Sequence, residues 1–145
     1  TTSAAWGSNR APAARALTPG VHGISNAILD APWPKVARTK AVLDAWCARD
    51  ADDVDALFAV LADRTRTPDA ELPRTGVSLE WERRLSSPFI VGEEVGYGTR
   101  SSTIVTIGRD GDAHFVERTF DSAGRSIGEK SFGFALARRR SPQRA

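Results

Sequence analysis

Ser101-Ser102-Thr103-Ile104-Val105-Thr106-Ile107, then Asp110-Gly111, His114 to Phe120, Asp121-Ser122-Ala123-Gly124, and Ser126 to Leu136 form the run that decides the fold class. The first segment is rich in Thr, Ile and Val, which suit a pleated, half-buried surface. Asp-Gly between two such segments signals a hairpin, because both residues tolerate the positive φ of a tight turn. Asp121–Gly124 marks a second turn. The run therefore predicts a three-stranded antiparallel meander over 101–107, 114–120 and 126–136.

Upstream the periodicity changes. Asp30-Ala31-Pro32-Trp33-Pro34 is a proline-bounded turn, and proline suits the first turn of a helix. Val36, Val42, Leu43, Trp46 and Cys47 then recur at helical spacing and predict a helix over 34–49. The acidic stretch Asp50–Asp55 favours a second helix start through capping and the macrodipole. Val54, Leu57, Phe58 and Leu61 mark one face of that helix, over about 52–64. Ser78 to Leu85 predicts a short third helix, with Glu80 and Arg84 at i,i+4. Residues 1–8 and 20–26 read as two short strands around a polar turn region holding Pro12 and Pro19. Strands and helices are segregated, so the class is α+β with an antiparallel sheet.

The chain has 145 residues, 41% hydrophobic and 26% charged, which is one globular domain's worth. One cysteine excludes an internal disulfide and a CxxC metal or redox site, and favours a reducing cytoplasm. No apolar run reaches the length of a membrane span. There is no methionine, so we expect a fragment or a processed chain. Arg138, Arg139, Arg140 and Arg144 outweigh the net charge of +2. Residues 138–145 are expected to be a solvated, disordered basic tail, with no nucleic-acid partner.

P-loop, GxGxxG, HExxH and GxSxG signatures are missing. His22 and His114 read as ordinary strand residues, with no metal-ligand spacing around either. Cys47 reads as a small buried hydrophobe. Two segments invite chemistry. Gly20 to Asn26 places a carboxamide at a predicted strand mouth; the Asn26 amide either stabilises an oxyanion or closes a turn. Tyr97-Gly98-Thr99-Arg100-Ser101-Ser102-Thr103 sets one arginine among small hydroxyl residues. Arg100 either holds a carboxylate or faces water at a strand edge. Tyr97 either lines a site or packs the core.

These segments resemble the NRDE family, named for an N-terminal Asn-Arg-Asp-Glu motif and also called the transport and Golgi organisation protein 2 family. The matching blocks are Gly23 to Val36, Leu57 to Asp63, Leu79 to Arg83, Tyr97 to Thr103 and Phe115 to Phe120; Ser8-Asn9-Arg10 also matches. The blocks run in family order over 1–137, which the resemblance assigns to the C-terminal portion of one domain. It implies an N-terminal nucleophile (Ntn) hydrolase-like αββα sandwich. This chain would supply about half of it: antiparallel strands plus two to three helices. It implies an amidohydrolase of linear amides whose nucleophilic cysteine lies in the family's absent N-terminal part. By similarity to cysteine Ntn hydrolases, Asn26 would serve the oxyanion hole and Arg100 would lie near the cysteine. Lys35, Tyr97 and Ser101 are the associated binding candidates. Thr1 is an alternative nucleophile exposed by self-cleavage.

The other function expected is a non-catalytic carrier of haem or of an acyl- or lipid-type ligand, with Lys35 and Arg100 pairing carboxylates. No cofactor is required in either case. A half-domain would expose apolar faces and sheet edges. Its expected partners are therefore the missing half, a partner chain or a second copy.

Overall fold

The computed structural model describes residues 4–9, 11, 13–49 and 53–136. Among the described residues the architecture is α+β, with three α-helices and two antiparallel sheets. The chain divides between Phe89 and Ile90 into two compact units.

The first unit opens with a minimal hairpin, β1 (Ala5–Trp6) against β2 (Arg15–Ala16). The partner of the first strand is thus 15–16, inside the expected turn region. The stretch 20–26 is irregular rather than a strand. Its backbone is captured locally: Gly23 N–H donates to Asp30 Oδ1 and Asp30 N–H donates back to Gly23 O. Such side-chain-to-backbone bonds compete with a ladder.

Helix α1 spans Pro34–Ala48, as the proline-bounded start predicts. Helix α2 spans Val54–Leu61. Its N-cap is Asp53, whose carboxylate accepts from the Asp55 and Ala56 amides, so the acidic cluster acts here as a cap. The helix stops before 64, where Asp63 turns to other work. Its carboxylate accepts from Thr65 N–H and pairs with Arg38, and its carbonyl accepts from Phe89 N–H. Helix α3 spans Leu79–Arg84, capped by Ser78. Leu29, Ala31, Val36, Phe58 and Phe89 form the unit's apolar core. Two buried polar side chains of the unit are satisfied: Ser86 Oγ accepts from Thr67 N–H, and Glu82 accepts from the Thr75 amide and hydroxyl.

The second unit is the meander: β3 (Ser101–Ile107), β4 (Asp112–Phe120) and β5 (Ser126–Ala135), in that order. Val105, Phe115 and Phe132 share one cross-strand row, and Ile107, Ala113 and Phe134 the next. This face is open: Val105, Ile107, Phe132 and Phe134 are each at least half exposed. Phe115 and Phe132 meet at 6.1 Å between ring centroids. On the other face of β3, Ser102 and Ile104 are buried.

Cys47 is exposed, not buried: it stands about three turns along α1 from Val36 on the same side, but burial on that helix is confined to Val36. Thr1 and the tail 138–145 lie outside the described residues.

Candidate functional site

Lys35, Val36, Thr39, Lys40 and Leu43 fall on one face of α1, at spacings that bring successive turns into line. With His22, Gly23, Ile24, Ser25, Leu61 and Pro88 they line a cavity of about 330 Å³. That is near the lower end of small-molecule sites, which run from about 300 Å³ upward. Ile24, Val36, Leu43, Leu61 and Pro88 give it an apolar floor. His22, Lys35 and Lys40 give it a cationic side, and none of the lining residues is Asp or Glu. Lys35 Nζ donates to Leu85 O at 2.8 Å and lies over the Trp33 ring, 5.8 Å from its centroid. Burial pushes the Lys35 pKa down.

Behind the cationic side lies Asp30. Its carboxylate accepts from His22 Nδ1, Gly23 N–H and Lys40 Nζ. Lys40 first, then His22 and the Gly23 amide, hold its pKa well below the usual carboxylate range. Asp30 and then the Thr18 carbonyl raise the His22 pKa above 6.5. The His22–Asp30 pair has the orienting half of a catalytic triad, but Nε2 faces Thr18 O at 2.9 Å and not a hydroxyl. The ring is therefore engaged as a structural group rather than as a general base.

Asn26 is exposed and lines a second, smaller cavity with Trp33, Lys35, Thr67, Glu82, Leu85 and Ser86. At about 40 Å³ that space admits water-sized groups, not a substrate. The structure thus brings Asn26 and Lys35 together at one lining.

Tyr97 and Arg100 belong to the other unit. They line a cavity of about 220 Å³ with Gly92, Gly96, Gly98, Thr99, Asp121 and Ser122. Arg100 is exposed, and its carbonyl accepts from Phe120 N–H. Tyr97 is 47% exposed and so does not pack a core. Ser101 opens β3 on an exposed position, in register with Thr119.

His22, Asp30, Thr39 and Lys40 do not stand out as a group in the sequence. Lys35 and Lys40 on one α1 face were a usable signal. The closure of a loop from residue 22 to residue 30 was not. Among the described residues no cluster of three His, Cys, Asp or Glu is placed to hold a metal ion. No helix among them is long and apolar enough to cross a membrane.

An α+β chain with an apolar, cation-sided cavity on its longest helix is the class that the structure defines. The family model described as Transport and Golgi organisation 2 matches residues 1–122, and the chain belongs to that family. It is 33% identical over 120 residues to the Transport and Golgi organization protein 2 homolog of Homo sapiens, covering 79% of this chain and 44% of that protein. The Mus musculus homolog is 29% identical over the same shares. The Bos taurus homolog is 32% identical over 71% of this chain and 40% of its own length. The chain thus spans less than half the length of these relatives.

Proposed function

We propose that this chain carries the ligand-binding part of a family protein that holds an apolar molecule with an anionic group, of the acyl or lipid type. The observation that supports it is the 330 Å³ cavity with its apolar floor and its lysines at 35 and 40. An alkyl chain on the floor gains roughly 0.8 kcal/mol per buried CH₂, and a carboxylate at Lys35 gains a charge-assisted bond. Haem belongs to the same ligand chemistry, with two carboxylates and a large apolar face. The protein is read as cytoplasmic, in keeping with the exposed free thiol of Cys47.

The test is titration of the full-length protein with hexadecanoate and, separately, with haem. Leu43→Trp, which fills the cavity, is expected to weaken hexadecanoate binding about tenfold or more. Lys35→Met should weaken hexadecanoate more than the matching alcohol. Absence of binding to either ligand overturns the proposal.

A second reading is favoured by Asn26 beside Lys35. In it the domain is an Ntn-type amidohydrolase with an αββα sandwich, and the rest of the family's domain supplies the cysteine, in the same polypeptide or in a partner chain. Asn26 would donate to the oxyanion. Arg100, with Tyr97 and Ser101, would hold a substrate carboxylate. Turnover of a linear amide that survives replacement of that cysteine by alanine would sink this reading.

A further inference from the structure

Both ring nitrogens of His22 face oxygens that have no proton to give. Nδ1 lies 2.8 Å from Asp30 Oδ2, and Nε2 lies 2.9 Å from the Thr18 carbonyl. A neutral imidazole carries one N–H and one lone pair, so either tautomer sets a lone pair against an oxygen. Only the doubly protonated ring satisfies both contacts.

The segment that these bonds fasten is tightly seated on α1. A Cβ on Gly23 would come within 2.6 Å of Val36 Cγ1 and 3.0 Å of Lys40 Cδ. Asp30 is the one non-glycine with positive φ among the described residues, at 58°. A backbone in that region persists only where its surroundings fix it. Here the fixing bonds run from His22, Gly23 and Lys40. The segment between carries Ile24 and Ser25, which wall the 330 Å³ cavity, and Asn26.

We propose that His22, Asp30 and Lys40 form a protonation-controlled latch. With the ring carrying both protons, residues 18–30 are clamped to α1 and the cavity wall is complete. With the ring neutral, the clamp loses one bond and the segment loosens. The charged groups facing His22 are Asp30 from its own segment and Lys40 from α1, with Lys35 on the same cavity lining; Leu61 of α2 and Pro88 add none. Asp30 and the Thr18 carbonyl outweigh desolvation and the opposing charge of Lys40, so the His22 pKa is raised above 6.5. The latch is thus closed at mildly acid pH and released as pH rises through the ring's own raised value. Its effect on ligands rests on reading the cavity as the ligand site; the latch itself does not.

The test is an NMR titration of the full-length protein. It follows the His22 ring together with the hydrogen-exchange protection of the Gly23 and Asp30 amides. Protection is expected to fall about tenfold as the ring deprotonates. In His22→Gln the profile should be flat. Binding of N-phenyl-1-naphthylamine, a neutral dye insensitive to the lost charge, should fall over the same step. A step in protection without dye binding at any pH upholds the latch and overturns the ligand role of the cavity. A flat wild-type profile, or a His22 ring titrating at or below 6.5, overturns the latch.

Discussion

Phe89 and Phe132 are the same side chain in two settings. Phe89 in the first unit is 2% exposed, under the guanidinium of Arg64 at 4.9 Å. Phe132 in the second is 56% exposed, on an open sheet face. The first unit has short helices and long connections, and what holds it is burial of a few apolar groups plus side-chain bonds to its loops. The second is a backbone ladder through β3, β4 and β5, regular enough to form without a deep core on its outer face. Mutations should therefore act differently on the two. The first unit should lose stability, whereas the second should change what it associates with.

The largest expected effect is Phe89→Ala, which should destabilise the first unit by about 3–5 kcal/mol in denaturant unfolding. Phe132→Ala should cost less than about 1 kcal/mol in the same assay. Equal costs would mean that the two units are held together in the same way. Gly23→Ala comes next, at about 1–3 kcal/mol, because its Cβ would meet the stiff Val36 side chain; thermal unfolding reads it out. Asp53→Ala removes the α2 cap and should cost about 1 kcal/mol.

The pH dependence follows from two opposite shifts. His22 is raised, so its contribution is full below 6.5 and fades as pH rises through its folded value. Asp30 is lowered, so its contribution is present above 3.8 and is lost as acid protonates it. Residues 18–30 should accordingly be most protected between those limits. Smallest in stability, but not in behaviour, is Phe132→Ser with Phe134→Ser. Sedimentation should show the wild-type sheet face driving association and the double variant relieving it.

The same contrast governs what could be read from the residues alone. Strands β3 to β5 follow from local signals, alternation and turn residues: β3 has the expected limits, β4 starts two residues early and β5 ends one residue short. Helix α1 is likewise local: Pro34 starts it and the periodicity carries it. The segment 20–26 is a different case. Val21, Gly23 and Ile24 suit a strand, but Asp30, several residues on, takes the Gly23 amide and the His22 ring for itself. No short-range pattern announces such a loop closure. Lys35 was legible as a binding candidate only through the family resemblance and its charge, not through a local pattern. Lys40, His22 and Asp30 were not, because their meeting is tertiary. Cys47 shares the side of α1 that carries Val36 and Leu43, and only the tertiary packing decides that burial stops short of it.

The most direct measurement is photolabelling of the full-length protein with a diazirine-bearing hexadecanoic acid, followed by peptide mapping. Labels are expected on residues 22–43, Leu61 and Pro88, and are expected to be lost in Leu43→Trp. Labels confined to Val105, Ile107 and Phe132 to Leu136 would contradict it and make the open sheet face the apolar site of this protein.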